Sequence, residues 1–163
     1  VLYISSLSKI VASGLRIGWI VGPEQVIQRL ADAKQQIDFG HSIFPQWIAY
    51  QFLDSPTFSS HIEKLRQELK KQEYALSSSL NELLGSKVSF DSPQGGIHLW
   101  CKVNQPVDDY RLLEESLKRG VAFVPGSVLS SQSGAIRFTF GRGEEEVIRE
   151  GIKRFASALE SLE

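Results

Sequence analysis

From Pro56 to Leu84, the residues Ile62, Leu65, Leu69, Leu76, Leu80 and Leu83 recur at spacings of three, four, seven, four and three. This is the period of an α-helix with one apolar stripe, and the positions between are mostly Lys, Glu, Gln and Ser. A helix of this length either pairs with another long helix or forms a spine for shorter elements. Sustained coiled-coil pairing wants roughly three to four full heptads with charged flanks. The stretch has fewer, so it reads as a helix packed on its own domain.

The elements on either side of this spine differ in texture. Val1 to Ser5 and Arg16 to Val21 are short, β-branched and aromatic, as expected of strands buried on both faces. Pro23 is suited to a first helical position, followed by Val26, Ile27, Leu30, Ala33 and Ile37 at helical spacing. "FGHSIFP" breaks that pattern, and a short helix through Trp47, Ile48 and Phe52 follows.

After Gly85 come short strands and helices. "KVSF" and "GIHLWCKV" read as strands, the second alternating Ile97, Leu99, Cys101 and Val103 against His98, Trp100 and Lys102. A helix follows, capped by Asp108 or Asp109 and stopped by Gly120, with Leu113 and Leu117 inward. "VAFVPG" reads as a strand ending in a turn, and "AIRFTF" as another strand. A closing helix starts near Glu144, with Ile148, Ile152, Phe155, Leu159 and Leu162 inward. The expected class is α/β: residues 1–55 end one layer, residues 56–84 form a linking helix, and residues 85–163 form a small α+β domain with a mainly antiparallel sheet.

Composition narrows the function classes. With 18 Lys plus Arg against 19 Asp plus Glu, the chain has no basic excess of the kind that marks a nucleic-acid face. No apolar run reaches the roughly 18 residues that cross a bilayer, and the chain reads as cytoplasmic. The single cysteine, Cys101, forms no intrachain disulfide. His41, His61 and His98 lack metal-ligand spacing, so no metal site is expected. The 163 residues contain no methionine and open directly on an apparent strand, which reads as a piece of something longer.

The chemistry-bearing stretch is "SSLSKIVASGLRIGW", Ser5 to Trp19, in the connection between the first two strands. A lysine amine condenses with a carbonyl, and a phosphate-bearing aldehyde cofactor needs a separate anchor. Arg16 supplies a permanently charged planar fork for phosphate, and Ser6 and Ser8 supply hydroxyl donors. Gly14 is expected to let the loop turn so that Lys9 and Arg16 face one pocket, and Gly18 to permit close backbone packing. Elsewhere, Ile136, Phe138 and Phe140 take one face of their strand, so Arg137 and Thr139 take the other. His98 and Cys101 lie on opposite strand faces and read as structural, and Trp19, Trp47 and Trp100 as core or interface residues.

This stretch resembles the cofactor-attachment segment of the class I/II, fold-type I pyridoxal-phosphate-dependent aminotransferases. The resemblance implies that Lys9 is the cofactor lysine, that Ser6 and Arg16 bind phosphate, and that Ser8 is a weaker phosphate donor. "PQGGIHLW" is similar to the family's strand entering the small domain, and "VAFVPGSVL" to its loop re-entering the cleft. "AIRFTFG" is similar to the strand whose arginine, here Arg137, holds the substrate α-carboxylate. "EEEVIREGIKRFASAL" is similar to the closing helix.

The resemblance covers the C-terminal part of the family nearly end to end. The family's aspartate at the pyridine nitrogen, its ring-stacking aromatic and further phosphate donors belong to the preceding large domain, so the 163 residues alone are expected neither to bind the cofactor tightly nor to transaminate. "GLRIGW" and "ADAKQQIDFGHSIFPQWIAYQFL" look most like the aminotransferase-like domains of MocR-type GntR-family regulators. In these, a winged-helix DNA-binding domain, absent from this chain, precedes an aminotransferase fold that uses pyridoxal phosphate as a sensor. The alternatives are a free-standing amino-acid aminotransferase and a structural fragment. Both full-length readings imply a homodimer and an amino acid or amine as substrate or effector. Exposed apolar surface is expected over Val1 to Phe52, with self-association.

Overall fold

The computed structural model describes residues 1–129 and 134–162. The chain divides into two compact units, Val1–Leu65 and Arg66–Glu163.

In the first unit, β1 (Tyr3–Ser6) and β2 (Gly18–Val21) form an antiparallel ribbon, with Tyr3 opposite Val21 and Ser6 opposite Gly18. α1 (Glu24–Ile37) and α2 (Ile43–Leu53) follow, and α3 (Thr57–Leu84) begins here. Pro23 stands one residue before α1, as the N-cap. Strand β2 is shorter than expected because Arg16 adopts a left-handed backbone, φ 54°, which an extended strand cannot contain.

The expectation that these strands are buried on both faces is corrected. Ile4 is 69% exposed and Val21 59%, because the sheet has only two strands and α1 does not enclose them. The exposed apolar surface expected over Val1 to Phe52 is present: Tyr3, Ile4, Phe39, Ile43, Phe44, Trp47 and Tyr50 are all open to solvent.

In the second unit, β3 (Val88–Phe90), β4 (His98–Val103), β5 (Val124–Pro125) and β6 (Ala135–Thr139) form a sheet in the order β3-β4-β6-β5. Every pairing is antiparallel. α4 (Asp109–Lys118), the short α5 (Gly126–Leu129) and α6 (Glu145–Glu160) complete the unit. The strand expected from "VAFVPG" is reduced to Val124–Pro125. The positive φ of Gly120 and the bond from Val121 N–H to Ser116 O first close α4, and Phe123 then turns into the core.

The core of this unit joins Leu76, Leu80 and Leu84 of α3 to Leu99, Cys101 and Val103 of β4. Ile136, Phe138 and Phe140 meet Ile152, Phe155 and Leu159 of α6 in the same cluster. Phe155 is fully buried and sits edge-on to Phe138 at 5.1 Å and to Phe123 at 5.7 Å. Burying a phenylalanine contributes roughly 1.5–3 kcal/mol, and favourable ring geometry adds to that.

Two expected inward residues face out. Leu83 is 47% exposed while Leu84 is buried, because the four-residue steps from Leu76 through Leu80 keep one face to Leu84. Leu117 is 52% exposed, because α4 turns Asp109, Leu112 and Ser116 inward.

Asp109 explains that orientation. Its Oδ2 accepts the Ser127 N–H at 2.9 Å, which ties the start of α4 to α5, while Asp108 caps α4 by accepting from the N–H groups of Tyr110 and Arg111. Gly126 is required beside it, since a Cβ there would lie 2.5 Å from the Ala135 Cβ. No helix among the described residues is long and apolar enough to cross a membrane.

Candidate active site

The connection between β1 and β2 is a closed loop. Leu7 N–H donates to Ile17 O at 3.0 Å, directly beyond the Ser6–Gly18 pair, so the loop leaves and re-enters the ribbon at one point. The N–H groups of Val11 and Ala12 both return to Leu7 O, forming one helical turn around Lys9 and Ile10. Leu7 is 2% exposed and anchors that turn. A 3-10 turn, Ser13–Leu15, then leads to Arg16.

Lys9 and Arg16 are both exposed on this loop, Ser6 is exposed at its base, and Ser8 is half-buried. Arg16 Nη1 donates to Ser13 O at 3.2 Å, leaving the remaining guanidinium donors available for an anion. The expectation for Gly14 is corrected: it has no positive φ, and open space surrounds it. Arg16 itself takes the left-handed conformation that turns the chain back into β2. Gly18 has its expected role, since a Cβ there would come within 3.1 Å of Ser5 O.

Ser6 and Gly18 also line a cleft of about 730 Å³ between the ribbon and α1, whose other walls include Trp19, Ile27 and Leu30. Lys9, Ser8 and Arg16 are not among its lining residues.

Sequence reasoning missed His61. It is half-buried on α3, and its Nε2 lies 2.8 Å from Ile10 O. A histidine adjoining the apolar stripe was the available signal, but spacing alone does not show a partner 51 positions away.

Arg137 lies in the second unit, on the sheet face opposite the core. It pairs with Trp100 on one side and Val124 on the other. The residue is half-buried, and its Nε is buried without a hydrogen-bond partner among the described residues. Such a donor is costly to leave unpaired, roughly 1–3 kcal/mol, and more when charged. Trp100, expected in core or interface, is 39% exposed on this outer face. His98 shares the face, its Nδ1 lying 3.0 Å from Thr139 Oγ1. Cys101 is on the core side, and loss of solvation pushes its thiol up to about 12. No cluster of metal-ligating side chains occurs among the described residues.

The family profile described as aminotransferase class I and II matches residues 1–155. The chain is 36% identical to the HTH-type transcriptional regulator YdfD of Bacillus subtilis (strain 168), over 99% of the chain and 34% of the regulator. It is 34% identical to aromatic-amino-acid aminotransferase 1 of Thermococcus litoralis, over 98% of the chain and 39% of that protein. The chain thus spans well under half the length of the curated relatives it matches. Among solved structures, Pyrococcus horikoshii kynurenine aminotransferase superposes with a TM-score of 0.91 at 32% identity, covering 99% of this chain and 41% of that one.

Proposed function

Since this chain belongs to the aminotransferase class I and II family, we propose that it is the C-terminal part of a pyridoxal-phosphate-binding effector domain of a GntR/MocR-type transcriptional regulator. The observation that carries the reading is the pinned loop between β1 and β2, which exposes an amine and a guanidinium on one closed connection. The 36% identity with YdfD, over nearly the whole chain, favours the regulator.

The donor set fits the cofactor. Lys9 is the amine for its aldehyde, Arg16 offers two parallel N–H donors to its phosphate, and Ser6 adds a hydroxyl. Ser8, half-buried, is the lesser donor. When bound, pyridoxal phosphate supplies an aldehyde for amines and a ring that withdraws electrons from the attached carbon. Arg137 holds the α-carboxylate of an amino-acid substrate or effector, and a buried Nε with no partner among the described residues supports this role.

Residues 1–55 form the end of the cofactor-binding domain, residues 56–84 the linking helix, and residues 85–163 the small domain. The whole protein is a cytoplasmic homodimer that contacts DNA through a domain outside this chain. Exchange of an amine at Lys9 biases the conformation of that dimer. A second reading, a free-standing amino-acid aminotransferase, is favoured by the 34% identity to the Thermococcus litoralis enzyme. The coding sequence ahead of Val1 separates the two: a winged helix selects the regulator, a bare large domain the enzyme.

Cofactor attachment is tested by incubating the chain with pyridoxal phosphate, reducing with borohydride and mapping the labelled peptides. Lys9 is expected to be labelled faster than Lys64 and Lys153, weakly because its loop is exposed, and without turnover of any amino acid. Equal labelling of all three lysines overturns the reading of Lys9. Tight binding with turnover overturns the expectation that this chain alone is inactive.

A further inference from the structure

We infer that His61 is a positioning residue for the Lys9 loop: its imidazole, carried on α3, holds the carbonyl of Ile10 and thereby sets the direction of the neighbouring lysine. The link to cofactor attachment rests on the reading of Lys9 given above; the hold on the loop does not.

The loop's own hydrogen bonds are local. Leu7 N–H to Ile17 O, and Val11 and Ala12 N–H to Leu7 O, make the turn rigid within itself. Its placement in the unit rests on packing, of buried Leu7 and of α2 on Ser13–Leu15, and on polar contacts from outside the loop. His61 reaches it from outside the ribbon, 51 positions on, at 2.8 Å.

The acceptor is a carbonyl, so the proton lies on Nε2. The ring is in turn oriented by Phe52, edge-on at 5.3 Å with an interplanar angle of 77°. Phe52 also meets Phe58 edge-on at 5.7 Å, so the imidazole stands in a small aromatic cluster built from α2 and α3. Ile10 directly follows Lys9, and consecutive Cα atoms are only about 3.8 Å apart. A fixed Ile10 carbonyl therefore restricts the backbone from which the Lys9 side chain projects. A hydrophobic residue would fill the same space between Phe52 and the loop without gripping the carbonyl.

The test compares the unaltered chain with His61→Phe, which keeps the bulk and loses the donor, and His61→Gln, whose amide N–H reaches about as far as Nε2. Amide hydrogen exchange is read at Val11 and Ala12, with β4 amides as the fold control. Borohydride-trapped pyridoxal phosphate on Lys9 is read relative to Lys153 in the other unit.

The Phe variant is expected to speed exchange at Val11 and Ala12 about fivefold, the effect of losing one neutral hydrogen bond. It is also expected to shift the Lys9 to Lys153 labelling ratio by a similar factor, and the Gln variant to restore both. Unchanged exchange in the Phe variant, or equal acceleration in Phe and Gln, overturns the hold on the loop. Accelerated exchange with an unmoved labelling ratio overturns its connection to Lys9. If Lys9 of the unaltered chain is labelled no faster than Lys153, the cofactor reading fails, and exchange alone decides the role of His61.

Discussion

Leu7 N–H donates to Ile17 O at 3.0 Å, and the next residue inward on each strand belongs to the Ser6–Gly18 pair. The loop bearing Lys9 and Arg16 is therefore an outgrowth of the ribbon with a single neck. Its return depends on Arg16, whose φ of 54° is the one positive value among described non-glycine residues.

Left-handed backbone costs a side-chain-bearing residue roughly 1–2 kcal/mol. Arg16→Gly removes that strain and Arg16→Ala keeps it. The Gly variant is expected to be more stable than the Ala variant by about 1 kcal/mol after the added freedom of the unfolded glycine is allowed for. Urea unfolding read through Trp19 and Trp47 checks this, and the reverse order would count against strain at this position.

Asp109 and Asp108 adjoin one another but do different work. Asp109 is 3% exposed and accepts from Ser127 N–H, whereas Asp108 is an exposed cap. Asp109→Ala leaves a donor unpaired and is expected to cost about 2–3 kcal/mol. Asp108→Ala is expected to cost about 1 kcal/mol. Asp109→Asn, which retains a carbonyl acceptor, should fall between them in urea titrations.

Cys101 is fully buried, and desolvation raises its thiol to about 12. The reactive thiolate is therefore suppressed in the folded state. Labelling by a disulfide reagent at pH 8 is expected to follow the opening of the second unit, accelerating with urea along the unfolding curve. Phe155→Ala, which removes a ring central to the same core, should cost about 3–5 kcal/mol and expose the thiol without denaturant.

Hydrogen bonds from Lys118 and then Arg119 hold the Glu115 carboxyl below its ordinary value of 4.5. Because the folded value is depressed, the stabilising contribution is present above the unfolded value and lost as pH falls through the folded one. Acid titration of stability is expected to show a small loss below pH 4.5, reduced by Glu115→Gln. The effect is small because surface ion pairs are screened by solvent.

Much of the fold was legible in local pattern. The period of α3, the alternation of β4 and the glycine stop at Gly120 each express a rule that operates within a few residues. Leu83 and Leu117 were misplaced because a helical stripe leaves a choice between neighbouring positions, and the facing element makes that choice. For α4 the deciding contact is Asp109 with Ser127, which lie 18 positions apart.

The candidate site divides the same way. Which residues bring chemistry, Lys9 as an amine, Arg16 and Arg137 as guanidinium groups, and Ser6 and Ser8 as hydroxyls, was determined by the sequence, because functional groups are properties of side chains. Only the tertiary structure decided that Arg16 rather than Gly14 turns the loop, that the Arg137 Nε is buried without a partner among the described residues, and that His61 grips Ile10. Backbone conformation, desolvation and long-range hydrogen bonds depend on what surrounds a residue, and those surroundings exist only once the chain has folded.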